Sequence, residues 1–134
     1  MAFIHGKNAT VTVNAAALTS FCDNLNLSRD TDTAETTVFG VNDKTFLPGL
    51  IGGNMTLSGS YDPTASTGPA AVLEALLGAA PFAVVLRPGG GATGQRSHGF
   101  NALLTNYTET SGISDVVKFS ASLLVTGAVT TTTL

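Results

Sequence analysis

The sequence predicts a mainly β domain with one flanking helix, and three observations lead to this class. Most of the chain alternates between apolar and polar residues with period two, which indicates strands with one buried face. One segment, 68–78, is instead rich in Ala and Leu and has helical spacing. Glycine and proline cluster between these segments, where they favour turns. We therefore predict one β-sandwich or barrel-like domain that spans residues 1–134.

The alternation defines six predicted strands. They are 9–13, 24–28, 54–61, 82–87, 100–107 and 116–126. The segment 82–87 is apolar on both faces until Arg87, which predicts a central strand. In 116–126 the apolar residues share one face, and Lys118 and Ser120 lie on the opposite, polar face.

The predicted helix, at about 68–78, has its own start and stop signals. Pro69 suits a first helical turn, and Gly78 suits the residue after the last turn. Two regions are too rich in turn formers or too polar for this pattern, so we predict a long polar loop at about 29–50 and a glycine-rich turn region at 88–98.

The composition favours a protein that assembles. The chain has 134 residues, of which 43% are hydrophobic and only 11% are charged. A soluble monomer usually has about 25% charged residues, so we expect much of this surface to be covered by neighbouring subunits. The net charge of −3, with six scattered basic residues, argues against strong electrostatic binding to nucleic acid.

The N-terminal segment carries no recognisable targeting signal. MAFIHGKNATVTV lacks a basic start, an apolar run and a small-residue cleavage site, so we predict no signal peptide. No apolar run approaches the roughly 18 residues of a membrane span, so we expect no membrane partner.

Residue patterns for catalysis, metal or cofactor binding are missing from the sequence. Cys22 is the one cysteine, so neither an internal disulfide nor a zinc framework can form, and His5 and His98 are far apart. The segment 89–97, GGGATGQRS, resembles a phosphate-binding loop only in its glycines, because it lacks the lysine that reaches the phosphates. We therefore predict a non-enzyme without cofactors.

The stretch RDTDTAETTVFG, residues 29–40, has the strongest local concentration of charge. Its acids allow three interpretations: a carboxylate pair or calcium loop, a solvated loop, or a polar loop that contacts another subunit. The EF-hand pattern is absent, because neither the glycine nor the final glutamate falls at the required spacing.

Three segments together resemble the major tail tube proteins of long-tailed bacteriophages. The first is 2–14 with 21–40, the second is KTFLPGLIGGNMTLSGSYD (44–62), and the third is SDVVKFSASLLVTGAV (114–129). They follow one another in the order of that family and cover most of the chain, although the glycine-rich segment 88–94 has no counterpart in the pattern.

This resemblance implies a fold and a function. The fold would be a two-sheet β-sandwich with a flanking helix. Six subunits would form a ring with their sheets joined edge to edge, and rings would stack into a tube that carries DNA from the capsid to the host. The tube would meet tape measure, baseplate or tip, and terminator proteins, in a virion assembled in the host cytoplasm.

The resemblance also implies roles for particular residues. The loop after the first strands would reach a neighbouring subunit, with Val38 and Phe39 as an apolar anchor. Its expected charged contact residues are Arg29, Asp30, Asp32 and Glu35. Lys118 and Ser120 are candidates for a strand that faces the lumen, where DNA would pass without specific binding.

The sequence leaves other functions open. One alternative is a tube or accessory subunit of another phage-derived particle, such as an injection device or a capsid decoration. Another is a monomeric β-sandwich binding module. Such modules usually present aromatic platforms, and this chain has no Trp and two Tyr.

Overall fold

The computed structural model describes residues 3–64 and 68–134. A short 3-10 turn, Gly6–Asn8, precedes the first strand. The strands are β1 (Thr10–Val13), β2 (Ala16–Ala17), β3 (Cys22–Glu35), β4 (Phe46–Ser60), β5 (Phe82–Arg87), β6 (Arg96–Thr110) and β7 (Lys118–Thr133). The one α-helix of the described residues, α1, is Pro69–Leu76. The predicted mainly β class with a single flanking helix is confirmed.

The seven strands form one continuous antiparallel sheet in the order β2-β1-β5-β6-β7-β4-β3. The resemblance implies two separate sheets, whereas the structure has one sheet whose two halves correspond to them. Val11, on β1, and Leu25, on β3, come from opposite ends of this order, yet both pack into the same apolar cluster. Because one short helix cannot cover seven strands, the sheet buries its apolar face by closing over itself.

The core consists mainly of inward strand positions that the alternation predicts, together with Leu18, which follows β2, and Leu73 of α1. Inward-facing side chains from the two ends of the sheet contact inward-facing side chains of β6 and β7, and together they form a single cluster. Its fully buried members include Val11, Val13, Leu18, Met55, Leu57, Leu73, Val84, Ala102, Phe119, Ala121 and Leu123.

Helix α1 covers part of this core beside β6. Pro69 stands in the first turn, and Gly78 follows the helix with φ +73°, a left-handed conformation that glycine adopts without strain. Leu73 and Leu76 are buried, and Leu77 forms an isolated bridge to Leu104 of β6. The helix therefore lies against the edge of β6 just beyond the first residue of β5, Phe82, which pairs with Ala102.

Strand β6 joins the two halves of the sheet, and a bulge changes which of its side chains face the core. The register with β7 shifts between Leu104 and Asn106, so one extra residue is inserted there. Such a bulge bends a strand and increases its twist. Leu104 faces the core before it, and after it Tyr107 does so, with its ring centroid 6.4 Å from that of Phe119.

The predicted loop at 29–50 is wrong in its extent. Residues 29–35 belong to β3 and 46–50 to β4, and only 36–45 connect them. The alternation failed here because the segment extends past the core. β4 pairs with β7 from Ser60 to Asn54 only, so beyond that point β3 and β4 pair with each other alone. We call this projecting hairpin, residues 29–53, the arm.

Candidate assembly surfaces

The connection at the end of the arm is organised by threonines. The Thr36 N–H donates to the Thr45 carbonyl oxygen at 2.8 Å, and the two hydroxyl oxygens lie 2.8 Å apart. The Thr45 N–H also donates to the Thr37 hydroxyl at 3.0 Å. These bonds hold the base of the connection, from which Val38 (67% exposed) and Phe39 (105% exposed) project into solvent.

The arm carries exposed apolar side chains on both of its faces. Four large apolar residues of β4 lie in the arm: Phe46, Leu47, Leu50 and Ile51. Phe46 and Ile51 pair with Glu35 and Thr31 on one face of the hairpin, and Leu47 pairs with Ala34 on the other face. All four are exposed. A two-stranded hairpin is at best marginally stable by itself, and clustered exposed apolar groups mark interaction surfaces. These exposed apolar groups make the arm a candidate interaction surface.

The four charged residues predicted as contacts all lie on β3, exposed, within the arm. The register shifts between Thr31 and Thr33 because β4 has one extra residue between Pro48 and Ile51, so Asp32 lies opposite a bulge of β4. Glu35 accepts a hydrogen bond from Thr37 at 3.2 Å. In the described residues, no three His, Cys, Asp or Glu side chains come close enough to hold a metal ion. The structure therefore spreads Arg29, Asp30, Asp32 and Glu35 along a strand edge.

Two strand edges form the second candidate assembly surface, and the sequence did not reveal where along the strands they lie. β3 is the last strand of the sheet, so its outer edge pairs with no strand of residues 3–64 and 68–134. β5 pairs with β6 only from His98 to Ala102, so in the described chain no strand covers that side of 105–110. The four strands β3, β4, β7 and β6 thus form a half-sheet that is open at both edges, and open edges are templates for pairing with another chain.

The outward face of this half-sheet is a polar wall. One row across the strands is Asn24, Ser58, Ser120 and Thr108, and the next is Asn26, Thr56, Ser122 and Asn106. The predicted pair Lys118 and Ser120 is exposed on this wall. Hydroxyl and amide groups therefore cover these two rows of the polar wall, and the apolar Leu124 lies exposed in the next row, opposite Asn54.

Lys118 is the charged side chain among these outward register positions, and it has a partner. Its Nζ donates to Asp23 Oδ2 at 3.2 Å. Asp23 lies in a bulge, because Cys22 pairs with Gly59 while Asn24 pairs with Ser58. The bulge brings Asp23 to the side of Lys118, and the Ser58 hydroxyl donates to Asp23 Oδ1 at 3.4 Å.

A cleft of about 760 Å³ lies where β3 faces the N-terminal turn and the end of β5. Its titratable groups do not form a catalytic arrangement. His5 Nδ1 accepts from the Lys7 N–H at 3.0 Å, and His98 Nδ1 lies 2.9 Å from the Thr131 hydroxyl. Burial, then Asp23, raises the pKa of the Cys22 thiol to about 11, so the cleft offers no activated nucleophile.

The helix content of the described residues includes no membrane-spanning candidate, since no helix there is both long and apolar enough to cross a bilayer. The imidazole of His98, in β6, is influenced by its surroundings at the base of the arm. Burial, then the guanidinium groups of Arg29 and Arg96, lowers the pKa of its imidazole. The Arg29 side of the arm base therefore lies near the start of β6.

Comparison with known proteins identifies the fold. No protein-family model matches the sequence, and no curated protein matches it. A chain in the virion of the native gene transfer agent particle is similar in structure, with a TM-score of 0.79 and 9% identity, over 97% of this chain and 99% of that chain.

Two further solved structures agree with this match. One is the tail of the empty gene transfer agent particle, refined with C6 symmetry (TM-score 0.70, 10% identity, 84% of this chain and 82% of that chain). The other is the SPP1 tail tube (TM-score 0.74, 12% identity, 98% and 80%). At these identities the similarity concerns the fold, and it confirms the resemblance drawn from the sequence: this chain has the tail-tube fold.

Proposed function

We propose that this chain is a structural virion protein whose copies form hexameric rings, and that the rings stack into a phage tail tube. The observation that carries this proposal is the structural match over nearly the full length of both chains, 97% and 99%. The low charge content supports it, because a subunit that buries much of its surface needs few charged residues.

The open edges supply a route to ring closure. The outer edge of β3 in one copy would pair with residues 105–110 of β6 in the next. These are two different surfaces, and head-to-tail contacts of this kind close into a ring when the rotation between copies allows it. The tail of the similar gene transfer agent particle was refined with C6 symmetry, so we propose six copies. Each exposed edge would then be protected by its neighbour.

The arm supplies contact between subunits outside the edge pairing. Its apolar residues on both faces would be covered by a neighbouring subunit or ring, with Val38 and Phe39 as the anchor. Arg29, Asp30, Asp32 and Glu35, along the same strand, would add charged contacts that fix its orientation. The arm would thus join copies that the edges alone do not hold.

The polar wall would line the lumen. If the half-sheets join through their edges, their outward faces form one continuous surface, with Lys118 and Ser120 on it. A surface of hydroxyl and amide groups offers DNA phosphates little net charge to bind. DNA would therefore pass through the tube without specific binding.

The remaining partners follow from a tube's position in a tail. The ends of such a tube would meet a terminator on one side and baseplate or tip proteins on the other. A tape measure protein would occupy the lumen before DNA passes. Assembly would take place in the host cytoplasm, and the product would be part of the virion.

Sedimentation and negative-stain microscopy of the concentrated protein test this function. We expect rings or tubes with six-fold symmetry, and sedimentable material that increases steeply above a threshold concentration. A protein that remains monomeric at the highest concentration reached would contradict the proposal, and so would assemblies without rotational symmetry.

A further inference from the structure

The polar wall has almost no charged side chains. The exception is Lys118, which forms an ion pair with Asp23. In the two rows that contain Asn24 and Asn26, the outward positions on β3, β4 and β6 are Asn, Ser and Thr, and the next row adds Leu103 and Leu124. On β7 the charged outward position is Lys118. That lysine is half exposed, with 50% of its side chain accessible, so its ammonium group is within reach of a molecule that lies on the wall.

The position of Asp23 depends on a local irregularity of β3. In a regular strand, Asp23 would point away from the side on which Asn24 lies. The bulge between Cys22 and Asn24 removes this constraint and leaves Asp23 3.2 Å from Lys118 and 3.4 Å from Ser58. Both of its contacts are therefore with residues of the wall.

Gly59 makes this irregularity possible. A Cβ at Gly59 would collide with the Phe21 carbonyl oxygen and with the Cys22 Cα. The same carbonyl oxygen accepts the Ser60 N–H at 2.9 Å. The close approach of the two backbones next to Asp23 thus requires a residue without a side chain.

We propose that Asp23 neutralises Lys118 so that the polar wall does not retain double-stranded DNA. This proposal rests on the proposed function, because it assumes that the wall lines a lumen. The pair is exposed, and exposed ion pairs contribute little to stability. Its effect is instead to cancel the one positive charge that each copy presents to the phosphates.

Ring symmetry multiplies the effect of a single charge. An unpaired Lys118 would be repeated in every copy of a six-fold ring and again in every stacked ring. Each lysine that neutralises a phosphate releases condensed counterions, which makes affinity strong at low salt and weak at high salt. Asp115, in the loop before β7, also borders the groove next to Lys118 and adds a negative charge at that end.

The test compares tubes that are assembled in the presence of short fluorescent DNA duplexes. After external DNA is digested with nuclease and the tubes are sedimented, the protected DNA measures what the lumen retains. We expect Asp23→Asn to retain about tenfold or more DNA than the unchanged protein at low salt, and this excess to disappear at high salt. Asparagine keeps the size of the side chain and its hydrogen-bond acceptor for Ser58.

Two further variants separate charge on the wall from charge elsewhere. Glu74→Gln, on the exposed side of α1, makes the same change in net charge away from the wall, and we expect no additional retention. Asp23→Asn combined with Lys118→Gln should return retention to the unchanged level.

The possible outcomes distinguish the two proposals. If the unchanged protein forms no tubes, the proposed function fails, and the role of Asp23 fails with it. If tubes form and Asp23→Asn retains no more DNA than Glu74→Gln, the role of Asp23 is overturned and the tube stands. Retention that the second change to Lys118 does not reverse also overturns it.

Discussion

Phe39→Ser is expected to separate folding from assembly. Phe39 is 105% exposed in the free subunit, so the folded chain loses no packing when the ring is removed. Surface substitutions of this kind usually change the free energy of unfolding by no more than about 0.5 kcal/mol. The proposed arm contact, by contrast, loses its largest apolar side chain.

The magnitude follows from the burial expected on assembly. A phenylalanine side chain that passes from full exposure to full burial contributes about 1.5–3 kcal/mol. At about 1.4 kcal/mol for each factor of ten, the critical concentration for tube formation should rise roughly 10- to 150-fold. Phe39→Leu keeps most of the apolar surface, so it should remain close to the unchanged protein.

Sedimentation across a concentration series measures the critical concentration, and denaturant unfolding of the free subunit measures its stability. Leu57→Ala is the control for a substitution that affects folding, because Leu57 is only 1% exposed. This substitution should lower the free energy of unfolding by about 2–5 kcal/mol. If Phe39→Ser assembles at the concentration of the unchanged protein, the arm does not carry the contact. A loss of stability equal to that of Leu57→Ala would show that Phe39 supports the fold itself.

One further substitution and one chemical treatment probe the start of β3 and the part of β4 that pairs with it. Gly59→Ala should destabilise the subunit by about 1–3 kcal/mol or more in denaturant unfolding, because the new Cβ meets the Phe21 carbonyl oxygen; an unchanged midpoint would show that the strands tolerate separation there. Cys22, with a pKa of about 11, should react with iodoacetamide at pH 8 roughly 10- to 100-fold more slowly in the folded subunit than in the unfolded chain, whose thiol ionises near 9.0. Since the folded thiol keeps its proton where the unfolded one loses it, stability should fall as the pH rises from about 9 to about 11; equal labelling rates in both states would contradict this burial.

The sequence was sufficient to predict an element where one face of that element is buried, because its apolar residues then recur with a regular period. β5 has the predicted bounds of 82–87, β1 and the helix agree within two residues, and the end of β4 agrees within one, although β4 begins eight residues earlier than predicted. In each of these segments the core determines which side chains are apolar. The pattern of the sequence is then a direct record of the fold.

The arm was missed because no core lies beside it. Residues 29–35 are polar on both sides, and FLPGLI at 46–51 is largely apolar on both, so neither shows period two. The β-branched threonines between 31 and 37 favour extended structure and were a usable signal. Where a segment faces a partner, its residues are determined by contacts with that partner, and the sequence of one chain does not contain this information.

The pairing of Asp23 with Lys118 was beyond sequence reasoning for a different reason. The two residues are 95 positions apart and meet only through the β3–β4–β7 register and a bulge. Period two alone places Asp23 on the side of the sheet opposite to Asn24. A single inserted residue reverses this expectation, and only the structure shows where the insertion lies.

The most direct test of the account is a cryo-electron microscopy reconstruction of the assembled tube. We predict six copies per ring, β3 of each copy paired with residues 105–110 of the next, and Lys118 with Ser120 facing the lumen. A tube in which α1 faces the lumen and the polar wall faces outward would contradict the account, and so would a ring whose β3 edges remain unpaired.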